Sequence, residues 1–242
     1  MDLRKNTPFN ATLYTLALAA VIVGELKGWR PLVYAAKPLL MVVLSSWFFF
    51  NSRRVGDRFT LLVQVGLFFS LVGDMALMFQ HLDRFNFLVG LGAFIMVMIC
   101  YTIAFGHNIS EAGTGDGLLL PMVISIGLLA FGFFFVLDLL PHLDEAIMLP
   151  VVVHAGAAVL MGIGASFRFG RTFLTSFLPV MGGAVLFILA NFLLAQHRMR
   201  PVDHAVWSVP LMYGVGQFLI AAGCLAHVLD PEEIRRKAAL ST

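Results

Sequence analysis

Two ionisable side chains sit in stretches that are otherwise apolar: Lys37 in L-V-Y-A-A-K-P-L-L-M and Asp74 in F-F-S-L-V-G-D-M-A-L-M. An ionisable group in hydrocarbon costs at least ~2.5–3.5 kcal/mol on insertion scales, so each marks a candidate functional position. A carboxyl kept from bulk water suits the work of a general acid, holding a proton and delivering it to a bound reactant. Lysine offers two chemistries. It can be the counter-ion of that carboxyl, locking two helices together, or a long-armed cation that reaches a lipid phosphate. His154, Asn191, Tyr101, Tyr213 and Gln217 complete the polar set. Each is a candidate substrate contact, and for Tyr101, Tyr213 and Gln217 interhelical hydrogen bonding is the competing role. Glu25 and Asp138 fall at the ends of apolar runs, where water can solvate them. Cys100 and Cys224 both lie in apolar stretches, and the seven histidines contain neither H-x-x-x-H nor H-E-x-x-H. No disulfide framework, metal site or cofactor is expected.

The elements that carry these residues follow from composition. Of 242 residues, 60% are hydrophobic and 12% charged. A soluble domain averages roughly 45–50% apolar and about 25% charged residues, so this chain has too little charge to cover a globular surface. It reads as an integral membrane protein, which excludes a soluble enzyme, a disordered tail and a disulfide-rich secreted module. The net charge of +2 is too small to suggest nucleic acid as a partner. Crossing the hydrocarbon takes about 20 mainly apolar residues, and eight stretches qualify: 9–26, 31–50, 59–79, 85–106, 117–139, 146–167, 173–195 and 204–229. The expected fold is an all-α polytopic bundle forming a single transmembrane domain over 1–242. The first stretch, with Arg4 and Lys5 ahead of it and Ala17-Leu18-Ala19 within it, imitates a secretory signal. Its apolar run continues to Leu26, so it is expected to be a retained span. Lysine and arginine number ten on the side of the termini and five on the other, Lys37 being the sixteenth. That bias predicts cytoplasmic termini, and a bacterial inner membrane is the expected location.

Depth then groups the polar residues. At 1.5 Å per residue, Lys37 lies about 9 Å below the face opposite the termini, Asp74 about 8 Å, Asn191 about 6 Å and His154 about 12 Å. Four helices thus place a polar residue in one layer, at the level where a single-chain lipid has its chain–glycerol junction. Lys37 and His154 are 117 residues apart, and so are Asp74 and Asn191. Leu71–Leu77 aligns with Ile188–Leu194 on the same offset, which raises a parallel 4+4 internal repeat.

Several motifs share a pattern: K-P-L-L at 37–40, S-L-V-G-D at 70–74, G-x-x-A-F at 90–94, Y-T-I-A-F at 101–105, and G-G-A-V-L-F-I at 182–188 followed by Asn191. With Tyr213 and Gln217 in the last span, the chain from Lys37 to Gly223 resembles the YhhN family, whose animal members are lysoplasmalogenases. That resemblance implies a metal-independent membrane hydrolase of lipid metabolism. Its substrate would be a lysophospholipid whose alkenyl (vinyl) ether bond is cleaved to a fatty aldehyde and a glycerophospho-base. Asp74 and Asn191 would be catalytic, with Lys37, His154, Tyr101, Tyr213 and Gln217 binding substrate. Two positions depart from the family: many members carry Ser-Asp where this chain has Ala190-Asn191, and a histidine where it has Met98. Each departure removes a group that could move protons. The lipid bilayer and a lysophospholipid are the expected partners. The alternative is a lipid-binding or transport protein of the same fold without hydrolase activity. A pocket closed at one end favours the enzyme; a path with gates at both faces favours transport.

Overall fold

Helices account for nearly all of the chain that the computed structural model describes, residues 3–52, 57–111 and 117–230. In chain order they are α1 (Thr7–Lys27), α2 (Arg30–Ser52), α3 (Arg58–Met78), α4 (Arg84–Glu111), α5 (Leu119–Leu139), α6 (Glu145–Ser166), α7 (Leu174–Met199) and α8 (Ala205–Val228). All eight are long and apolar enough to cross a membrane, and no strand occurs among the described residues. In the hydrocarbon a helix is one of the few structures that pairs its own backbone groups. Local chemistry sets several ends. Asn6 caps α1, its Oδ1 accepting from the Phe9 N–H at 3.1 Å. Gly28 closes α1 at φ 63°, a left-handed conformation that costs glycine little. Asp57 caps α3 through the Thr60 N–H at 2.9 Å.

The expected spans and the helices agree closely. The largest difference is α4, which runs on to Glu111 past the expected end at 106. Hydropathy reports where the hydrocarbon stops, whereas a helix stops where its hydrogen bonds do, and G-H-N-I-S-E carries no breaker strong enough to end it.

Each helix packs on its neighbours in a closed order. α1 lies against α2, α2 against α3, α3 against α4, α4 against α6, α6 against α7, and α7 against α8. α8 returns to α1, α2 and α3. The neighbours of the first half recur in the second on a four-helix offset: α5 on α6, α6 on α7, α7 on α8, and α8 on α2 where α4 meets α6. α5 is peripheral, burying only Pro121, Ser125, Gly132 and Leu139. The tightest crossing is α7 on α8, where glycines let backbones touch: a Cβ at Gly183 would lie 2.6 Å from the Gly216 carbonyl oxygen. Small residues are the means by which helices approach this closely in membranes. An even number of up-and-down helices puts the start of α1 and the end of α8 at one end of the bundle, here the terminal face; the other is the distal face.

Candidate active site

The site begins on two helices with matched spacing. Ser70 and Asp74 lie one turn apart on α3, and Tyr213 and Gln217 one turn apart on α8, so residues four apart share a helix face. Facing each other, they make two rungs. Tyr213 Oη donates to Asp74 Oδ2 at 2.7 Å. One turn further from the distal face, Gln217 Nε2 donates to Ser70 Oγ at 2.8 Å. Tyr101 of α4 extends the second rung, its Oη donating to Gln217 Oε1 at 2.9 Å. Buried polar groups are costly unless hydrogen-bonded, and this ladder satisfies five side chains while tying α3, α4 and α8 together.

Lys37 enters from α2. Its Nζ lies 3.9 Å from Asp74 Oδ1, an ion-pair contact too long to be a hydrogen bond. Asp74 is 2% exposed, whereas 22% of the Lys37 side chain is accessible. The lysine is therefore the part of the pair that meets a ligand first. Phe94 and Phe187 brace the Tyr213 ring at centroid distances of 5.8 and 5.9 Å.

Above these groups is a cavity of about 390 Å³. Its inner wall includes Lys37, Phe94, Asn191 and Tyr213, and its outer wall includes Glu25, Arg30, His81 and His197. Every lining residue comes from the distal ends of α1, α2, α3, α4, α7 and α8 or from the turns between them. At the mouth Arg30 Nη1 and His81 Nε2 are 3.3 Å apart. Val33, Leu77, Leu194 and Val209 supply apolar wall, and Tyr34 and Gln80 also line the cavity.

The seven expected site residues thus fall into three positions. Lys37, Asn191 and Tyr213 line the cavity. Asp74 lies directly behind Lys37 and Tyr213, ion-paired with the first and hydrogen-bonded by the second, but absent from the lining. His154 is buried on α6 and absent from the lining, and its Nδ1 has no hydrogen-bond partner among the described residues. Tyr101 and Gln217 are fully buried in the ladder and do not reach the cavity; they hold helices where direct contact with a ligand had been expected. Asn191 is fixed from within its own helix, Nδ2 donating to the Phe187 carbonyl at 2.8 Å.

Sequence reasoning missed the mouth. Glu25, expected as a solvated cap, is exposed and also lines the cavity; Asp138 is exposed and pairs with Arg200 at 2.7 Å. The signal available was position, since Glu25, Arg30, His81 and His197 all lie at distal ends of spans. A second omission lies near the terminal face. Arg168, counted as a loop charge, is fully buried, its guanidinium donating to Ser176 Oγ at 2.7 Å and lying 5.3 Å from the Phe105 ring centre. Burial lowers its pKa to about 10.

The sequence model of the YhhN family matches residues 32–224. The chain belongs to the YhhN family. The YhhN match holds Lys37, Asp74, His154, Asn191, Tyr213 and Gln217, so the whole inner site lies within it. α1 lies outside the YhhN match yet supplies Gly24 and Glu25 to the cavity wall. No solved structure matches the chain.

Proposed function

We propose that this YhhN protein hydrolyses the vinyl ether bond of lysoplasmalogens, a reading supported by membership of a family that includes lysoplasmalogenases. The observation that carries it is the one-sided cavity. All its lining residues belong to one end of the bundle, and its polar floor lies beneath an apolar-walled cavity, where the chain–glycerol junction of a single-chain lipid would rest. Ligand sites are commonly apolar clefts with a few placed polar groups. A transporter needs a route to the second face, and no wall residue of this cavity comes from the terminal half of a helix.

In the proposed reaction Lys37 and Arg30 hold the phosphate, and Glu25 faces the amine of the headgroup. When Lys37 turns to the phosphate it uncovers Asp74 Oδ1, and the carboxyl that has lost its cation carries a proton. That proton forms a C–H bond at the outer alkene carbon, using the π electrons of the double bond. The carbon bearing oxygen becomes an oxocarbenium ion, which the Asp74 carboxylate stabilises. Water held by Asn191 adds to that carbon and gives its proton to Asp74. The hemiacetal then collapses: its C–O bond to glycerol breaks, the hydroxyl proton passes to the glycerol oxygen, and the aldehyde forms. One water is consumed. Tyr213 holds Asp74 in place through Oδ2, leaving Oδ1 for the substrate.

The test is incubation of purified protein with an alkenyl lysolipid, using the ester-linked analogue as control and measuring aldehyde. Aldehyde from the alkenyl lipid alone supports the assignment. Its absence, with lysolipid still bound, moves the assignment to lipid binding without cleavage, the reading favoured by Asn191 at a position where many members carry aspartate.

A further inference from the structure

We propose that Lys37 is also a carbonyl-reactive amine, condensing with a long-chain aldehyde in the cavity to form an imine, with Asp74 as the proton acceptor. The idea rests on the hydrolase reading for a source of aldehyde inside the protein, but its chemistry can be tested with aldehyde supplied directly.

Imine formation by a lysine has three requirements. The amine must face a space that admits the carbonyl compound. A base must be near enough to take its proton, because only the neutral amine is a nucleophile. Bulk water must be scarce, since it reverses the condensation. Lys37 lines the cavity through the accessible part of its side chain. Asp74 Oδ1 is 3.9 Å from Nζ, on a carboxyl held from its other side by Tyr213. Val33, Leu77, Phe94 and Leu194 make walls that suit an alkyl chain. Lys5 and Lys27, the other lysines among the described residues, are not in these walls.

The step balances without an oxidant or reductant. A proton moves from Nζ to Asp74, and the freed lone pair attacks the aldehyde carbon. A second N–H proton passes to the carbonyl oxygen to give a neutral carbinolamine. Its hydroxyl leaves as water with the proton held by Asp74, and the last N–H proton returns to Asp74, leaving a C=N bond. The adduct removes the positive charge proposed to hold the phosphate and fills the space of the next substrate. An aldehyde not released to the membrane therefore inhibits the site by occupying its lysine.

The full-length protein is incubated with hexadecanal and sodium cyanoborohydride, which spares the aldehyde and reduces an imine to a stable N-hexadecyl lysine, and peptide mass spectrometry locates the label. The expected result is label concentrated on Lys37, with little on Lys5, Lys27 or Lys237. Lys37→Arg should lose it while keeping a cation, and Asp74→Asn should slow its formation by roughly 10²-fold, as loss of a positioned base does. Equal labelling of all four lysines, or none on Lys37, overturns the proposal; because the unaltered protein gives this result, misfolding of a variant cannot obscure it. A parallel arm replaces hexadecanal with an alkenyl lysolipid. Label from added aldehyde but no aldehyde from the lysolipid sustains the imine and refutes the hydrolase. Aldehyde released from the lysolipid with Lys37 unlabelled in both arms sustains the hydrolase and refutes the imine.

Discussion

Adjacent glycines on α7 give a measurement of how much the site depends on the α7–α8 crossing. A Cβ at Gly183 would lie 2.6 Å from the Gly216 carbonyl oxygen and 2.8 Å from the Ile220 nitrogen. Both are backbone atoms and cannot turn aside. Restoring ordinary contact near 3.4 Å requires α8 to withdraw by roughly 0.6–0.8 Å. A gap of 0.5–1 Å forfeits about a quarter to a half of the dispersion energy of the atoms it separates, and overpacking of this kind costs about 1–3 kcal/mol. Gly182 is the control, since a Cβ there meets nothing within 4 Å. Replacing either glycine by alanine in a helix gains up to about 1 kcal/mol of propensity. That gain is common to both variants, so their difference isolates the clash, expected at about 2–3 kcal/mol. For a chain of this size the midpoints should then separate by about 4–12 °C, Gly183→Ala melting below Gly182→Ala. Thermal unfolding in one detergent, with aldehyde release measured in parallel, makes the comparison. Only Gly183→Ala should lose activity, because Asn191 and Tyr213 stand on the two helices it parts. Equal midpoints would refute a backbone-to-backbone crossing here.

Four other outcomes are expected. Asp74→Asn should reduce aldehyde release by about 10²–10⁴-fold with lysolipid binding retained, as read by single-turnover kinetics and a binding assay. Lys37→Met should leave the buried Asp74 without its cation and lower the melting temperature, where removing one partner of a buried pair costs about 3–5 kcal/mol; supplying more lysolipid should recover part of its rate if the lysine also binds phosphate. Asn191→Asp places a carboxyl on the cavity wall, and its aldehyde release should exceed that of the unaltered protein if a second acid is what this chain lacks; a fall would mean that two carboxylates repel across the site. Arg168→Met should keep or raise the melting temperature, because it exchanges a buried cation with Nε and Nη1 unbonded for an apolar side chain. The sign follows from linkage: a cation whose folded pKa is lowered to about 10 destabilises the fold wherever it is charged, and that penalty fades as pH rises through 10.

The spans were legible because hydrocarbon imposes one length and one polarity on every crossing segment, so apolar runs alone located eight helices. The polar layer was legible for a related reason, since depth is counted along the chain at a fixed rise. What counting cannot give is rotation about each helix axis. Lys37, Asn191 and Tyr213 turn toward the cavity, whereas His154, at similar depth, is buried and absent from its lining. Tyr101 and Gln217 looked the same in the sequence as Tyr213, yet they bond each other. The pairing of Tyr213 with Asp74 depends on the register of α8 against α3, which helices 139 residues apart do not encode locally. Arg168 was misplaced because a charge beside a span end is ordinarily solvated, and nothing in F-R-F-G-R announces that its side chain turns inward.

The cavity that opens on the distal face alone gives the proposed reaction a direction in space. Lipid arrives from one monolayer only, so an alkenyl lipid in the other is invisible to the protein until something carries it across. The products part on that same side: the glycerophospho-base dissolves in the adjoining aqueous compartment, and the aldehyde passes sideways into the monolayer that supplied its precursor. A reconstituted vesicle with substrate confined to one monolayer would therefore show turnover in one orientation of the protein and none in the other. Under the proposed reaction, membrane sidedness, rather than headgroup affinity alone, would decide which alkenyl lipid is open to cleavage.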